Sequence, residues 1–131
     1  FDTHVKVGLV AGMEPVTLAR KMPLEAVLRM TLVGGNERMN AARAQALGLV
    51  GEVVPPDRLL ARAFEVAGMI KGNSPAAMAR SKRAIWEGAD RGLGAALEHA
   101  WELIMQQNDH PDIEEGVRAF AERRPPHFTG R

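Results

Sequence analysis

Two short segments of this chain read as β-strands and no other does, an imbalance that restricts the fold more than any other feature. Val5-Lys6-Val7-Gly8-Leu9-Val10 puts apolar and β-branched residues at alternate positions and stops at Ala11-Gly12. Leu49-Val50-Gly51-Glu52-Val53-Val54 does the same and is closed by Pro55-Pro56. Two strands make a poor sheet on their own. Either they pair and lean on helices, or the rest of a sheet lies on residues this chain lacks.

The remainder reads as helix, with clear punctuation. Pro15 and Pro23 each stand where a helix can begin, since proline at the first helical position gives up a hydrogen bond that was unmade anyway. Leu24, Val27, Leu28 and Thr31 fall at helical spacing in a segment from Leu24 to Leu32 that Gly34-Gly35 ends. Asn40 is the N-cap of a short helix from Ala41 to Leu47, with Gly48 free to turn left-handed. Asp57 caps a helix running to Lys71, whose Leu59, Leu60, Phe64, Val66 and Ile70 share a wide apolar face. Ser74-Pro75 opens the next helix, which reaches Glu87, and Gly88 and Gly92 break it from a stripe of Leu93, Leu97, Ala100, Trp101 and Ile104. Ile113, Val117 and Phe120 mark the last helix, with Glu114 and Glu115 in its first turn and Arg123 and Arg124 closing it. Four helices after Pro55 suggest a bundle. Trp86 and Trp101 offer more apolar area than a small helical unit needs, which points to a partner surface.

Several chemistries are unsupported. The chain has 131 residues and no cysteine, so disulfides and thiol nucleophiles are absent. A net charge of +1, with basic residues scattered among acidic ones, gives no field to gather nucleic acid. No apolar run approaches the roughly 20 residues of a membrane span, so neither a membrane nor a nucleic acid is expected as a partner and a cytoplasmic location follows. His4, His99, His110 and His127 are isolated, so no metal site is expected. His99 lies opposite its helix's apolar stripe, in solvent, and His110, before Pro111, reads as a cap. Neither a G-x-S-x-G elbow nor a phosphate loop occurs, and Gly34-Gly35 reads as a helix stop.

Two pairs remain as candidates. His4 and Glu14 flank the first strand as acid–base groups, separated by about 20 Å if that strand is extended; each also reads as an ordinary structural residue. Arg123 and Arg124 follow Phe120, giving a ring with cations one turn away that suits a nucleotide base and its phosphates. The same residues also read as a solvated helix end.

Several segments together resemble one family. They are Val7-Gly8-Leu9-Val10-Ala11-Gly12, Leu32-Val33-Gly34-Gly35, and Ala44-Gln45-Ala46-Leu47-Gly48-Leu49-Val50 with Val53-Val54-Pro55. Asn73-Ser74-Pro75 with Lys82, and Glu115-Gly116-Val117-Arg118-Ala119-Phe120-Ala121-Glu122-Arg123-Arg124-Pro125, complete the set. In this order they resemble the second half of the crotonase (enoyl-CoA hydratase/isomerase) family, over essentially all 131 residues. The resemblance implies an α/β, crotonase-like fold. Residues 1–56 would be the last turns of a ββα spiral and residues 57–131 a C-terminal helical region that forms a homotrimer or hexamer.

It also implies hydratase (lyase) or isomerase chemistry on acyl-CoA thioesters, as in fatty acid metabolism, with coenzyme A as part of the substrate and no separate cofactor. The backbone donors that steady the thioester enolate, and the first of two catalytic glutamates, belong to the family's other half. The second glutamate's place is held by His4, after Thr3, in a segment one residue tighter than usual. Met13-Glu14-Pro15 replaces the common Gly-Gly-Thr. Two expectations follow: an acyl-CoA enzyme using His4 and Glu14, or a non-catalytic crotonase-like scaffold that binds acyl-CoA or oligomerises. By the same resemblance Phe120 and Arg123 match positions that contact the adenine and phosphate end of coenzyme A.

Overall fold

The computed structural model describes residues 1–129. Among the described residues the regular elements are seven α-helices and three 3₁₀ turns, with no β-strand. The helices are α1 (Met13–Leu18), α2 (Leu24–Val33), α3 (Ala41–Ala46), α4 (Leu59–Lys71), α5 (Pro75–Gly88), α6 (Leu93–Asn108) and α7 (Pro111–Ala121).

Both expected strands are therefore corrected, and with them the α/β content of the described residues. Alternation records which face of a segment is apolar, but a ladder also needs a neighbour to take its N–H groups. Without one, residues 5–10 bond locally: Val5–Val7 is a 3₁₀ turn, and the His4 carbonyl accepts from both Val7 N (3.1 Å) and Leu9 N (2.9 Å). Gly8, at φ 79°, makes that reversal possible because it has no Cβ to clash. Residues 49–54 stay irregular, and Leu49 N is already taken by the Ala44 carbonyl at 2.9 Å.

The chain forms two compact units, residues 1–59 and 60–131. In the first, Met22, Ala26 and Val27 form a small core against which Leu18, Met39, Leu47 and Leu49 pack. The buried stripe of α2 is Ala26, Val27 and Thr31, so Leu24 and Leu28 of the expected face stay exposed. Pro23 is the N-cap of α2 and Pro15 the third residue of α1, a position whose N–H has no partner within the helix. Asn40 caps α3 as expected, its Oδ1 accepting from Arg43 N at 2.8 Å. Gly48 then turns left-handed at φ 76°, and two bonds, Gly48 N to Gln45 O and Leu49 N to Ala44 O, satisfy the helix's last carbonyls. Gly34 sits at φ 62°, and a Cβ there would lie 3.4 Å from both the Asp2 carbonyl and Val5 Cγ2. The 3₁₀ turn Gly34–Asn36 thus presses against the segment that carries His4.

In the second unit α5 and α6 form an antiparallel hairpin, with Gly88 meeting Ala96 near the turn and Arg80 Nη1 bonding Gln107 Oε1 at the far end, 2.6 Å apart. His99 is not in solvent: its side chain is 12% exposed and Nε2 lies 2.6 Å from Glu87 Oε2 across the hairpin. Ser74 caps α5 by accepting from Ala77 N, and its hydroxyl donates to Asp112 Oδ2. His110 caps α7, its Nδ1 accepting from Asp112 N at 3.2 Å. Ser74 and Asp112 are both buried, so one polar node ties the starts of two helices together.

Asp57 is not the cap of α4. It lies in the 3₁₀ turn Pro56–Arg58, for which Pro55 holds the capping position. The other end of α4 is closed by Asn73, whose Nδ2 donates to the Met69 and Ile70 carbonyls. No residue of α4 is buried, so the unit is not the closed four-helix bundle that the apolar stripes suggest.

Candidate functional site

The reversal after His4 decides what the first candidate pair can do. With residues 5–10 folded back, His4 and Glu14 line one open depression with Val10, Gly12, Met13, Val16 and Thr17, of about 510 Å³. They do not stand at opposite ends of an extended strand. Three apolar side chains wall the depression, while His4 and Glu14 supply its titratable groups. Glu14 is an exposed residue in the first turn of α1.

His4 is held by its neighbour two residues back. Asp2 Oδ1 accepts from His4 N and contacts His4 Nδ1, both at 2.8 Å. A carboxylate can only accept, so Nδ1 carries the proton in this pair. The backbone N–H and then the ring of His4 hold the Asp2 carboxyl below its ordinary value. In return the Asp2 hydrogen bond and charge, aided by the charge of Glu14, raise the imidazole above its ordinary value. An imidazole so placed can both give and take a proton near neutrality. Asp2 was missed in the sequence, although Asp-x-His is the spacing at which an aspartate bonds the backbone two residues on.

The second candidate pair lies at the end of α7. Phe120 is 87% exposed and Arg123 is exposed beside it, with no side-chain partner among the described residues. Arg123 occupies the position after the C-cap at φ 53°, while Arg123 N and Arg124 N bond the Phe120 and Ala119 carbonyls. Arg124 is committed elsewhere. Its Nη1 and Nη2 lie 2.6 and 3.0 Å from Glu115, which also accepts from Arg118 Nη2 (2.6 Å) and His127 N (2.7 Å). These donors, Arg124 first and Arg118 next, hold the Glu115 carboxyl far below the usual carboxylate range. Glu115 is past the first turn of α7, where Asp112 and Glu114 sit, and it fastens the tail instead of serving the helix dipole. The structure thus separates the two adjacent arginines, leaving Arg123 available and Arg124 structural.

No group of three or more His, Asp or Glu side chains suited to a metal occurs among the described residues. No helix among them is long and apolar enough to cross a membrane.

The chain matches the family model described as enoyl-CoA hydratase/isomerase over residues 2–131. It is 34% identical over 129 residues to the (E)-benzylidenesuccinyl-CoA hydratase of Thauera aromatica, covering 98% of this chain and 50% of that protein. To the 2,3-dehydroadipyl-CoA hydratase of Escherichia coli K12 it is 32% identical over 129 residues, with the same shares covered. The crystal structure of an enoyl-CoA hydratase/isomerase from Mycobacterium paratuberculosis superposes with a TM-score of 0.96 at 43% identity, covering 100% of this chain and 52% of that one. The chain therefore spans about half the length of the curated relatives it matches. With the likeness extending across both units, the chain belongs to the enoyl-CoA hydratase/isomerase, or crotonase, family.

Proposed function

We propose that this chain is the C-terminal half of an enzyme that acts on acyl-CoA thioesters by hydration or double-bond migration, with His4 as a proton-transfer group and Glu14 as its charged neighbour. The observation that carries this is the gathering of His4 and Glu14 onto one apolar-walled depression. The chemical class comes from the relatives, two of which are named for the hydration of CoA thioesters. Stabilisation of the thioester enolate is assigned to backbone donors in the other half of the whole protein. The full-length protein is expected to hydrate or isomerise crotonyl-CoA. Absence of turnover together with absence of CoA-ester binding by calorimetry would sink the proposal. An inactive parent that gains hydratase activity on His4→Glu would instead favour a binding scaffold.

Phe120 and Arg123 are assigned to the adenine and phosphate end of coenzyme A, a ring for stacking and a cation for charge. The double substitution Phe120→Ala, Arg123→Ala is expected to raise KM for the CoA ester about tenfold or more while leaving kcat within about twofold, the pattern of lost uniform binding. Steady-state kinetics on the full-length variant decide it.

The face of Leu97, Trp101 and Ile104 is assigned to a second copy of the protein in a trimer or a pair of trimers. Trp101 is 62% exposed, and a ring of that size left in water is costly to a soluble protein. Trp101→Glu is expected to convert the assembly to monomer in light scattering at micromolar concentration; an unchanged mass would remove this face from the interface.

A further inference from the structure

The Asp2–His4 pair is built more firmly than a chance surface contact. One oxygen, Asp2 Oδ1, engages both the backbone N–H and the ring nitrogen of His4, which fixes the main chain and the ring against the same atom. The two side chains are also unequally exposed: Asp2 is 8% accessible and His4 39%, so the carboxylate sits inside while the ring faces the depression. Behind them lies the turn at Gly34, where an added Cβ would meet the Asp2 carbonyl at 3.4 Å and where the positive φ would strain any side chain. His4 Nε2 has no hydrogen-bond partner among the described residues.

We propose that Asp2 is a positioning residue: it holds the His4 ring in the Nδ1–H form, which leaves Nε2 as the atom that exchanges a proton with the substrate. The inference rests on the proposed acyl-CoA function for what the proton is used for, but the tautomer and orientation stand on the geometry alone. The charged groups that act on the ring are Asp2 from its own loop and Glu14 from α1. The turn packed behind them, Gly34–Asn36, carries no charge. In this arrangement the proton leaves from or arrives at Nε2, while Nδ1–H stays bonded to a carboxylate that remains ionised throughout. Asp2 thereby stabilises the imidazolium without itself exchanging a proton.

The test uses the full-length protein, comparing wild type with Asp2→Asn and Asp2→Ala. In nitrogen-15 NMR across pH, wild-type His4 is expected to show the Nδ1–H tautomer when neutral and to titrate above its ordinary value. Asp2→Asn is expected to lower that titration, and Asp2→Ala to return the ring to the Nε2–H form favoured in free imidazole. Asp2→Asn should also reduce kcat about a hundredfold, at the low end of what a positioned proton-transfer group contributes, with KM little changed and the rising limb of the pH profile moved to lower pH. A wild-type Nε2–H tautomer, or a His4 titration indifferent to both substitutions, overturns the proposal whatever the activity. If the NMR behaviour is as expected while crotonyl-CoA is not turned over, the positioning by Asp2 stands and the assigned reaction falls.

Discussion

His4→Ala in the full-length protein is expected to lower kcat for crotonyl-CoA by about 10²- to 10⁴-fold, the usual contribution of a side chain that moves a proton in the transition state. KM should change little, because a residue on the wall of an open depression contributes little uniform binding. The direction of the pH dependence follows from the groups around the ring. Asp2 and Glu14 both favour the protonated imidazole, so the limb that reports His4 lies at higher pH than an isolated histidine would give. Glu14→Gln removes one of those charges and moves the limb to lower pH, with a smaller loss of rate than at His4 because the carboxylate is exposed and lends only its field. Undiminished turnover in His4→Ala would assign the proton transfer to the other half of the protein.

Asp112→Ala is expected to carry the largest stability cost among single polar substitutions in residues 60–131, about 2 kcal/mol, since it strands a buried hydroxyl that Asp112 now accepts from. Ser74→Ala should cost about 1–2 kcal/mol through loss of the α5 cap and of the same bond. Because both substitutions break one shared interaction, the double variant should cost less than the two combined. Urea unfolding of the four proteins in the cycle measures this, and strict additivity would show that the Ser74–Asp112 bond contributes nothing.

Much of the helical framework was legible from residues whose effect is local. Asn40, Ser74 and His110 cap the helices they precede, and Gly48 ends α3, because each such bond is made within a few residues of sequence. Apart from Asp57, which the 3₁₀ turn Pro56–Arg58 takes from the expected capping position, the inferences that failed were ones needing a distant partner. Val5–Val10 has the alternation of a strand, yet pairing depends on a second segment, and here Gly8 and the His4 carbonyl settle the chain into a turn. His99 was assigned to water by its place on the helical wheel, but the sequence does not reveal that Glu87 comes to face it across the hairpin. For the candidate site, the types of residue were readable and the distances were not. His4 and Glu14 were named as candidates but placed at opposite ends of an extended strand, and Asp2 was overlooked even though its Asp-x-His spacing to His4 is local. The resemblance singled out Phe120 and Arg123, and the engagement of Arg124 by Glu115 supplies a physical reason for setting Arg124 apart.

The left-handed backbone at Arg123 sets two demands against each other. Glycine is the residue that reverses a helix end at least cost, and an L side chain in that conformation gives up about 1 kcal/mol. Breeding variants for heat tolerance alone should therefore drift toward glycine at 123, whereas breeding for grip on an anionic ligand should keep the guanidinium and accept the conformational handicap. Which way position 123 moves under each regime would reveal what the chain gains by tolerating it.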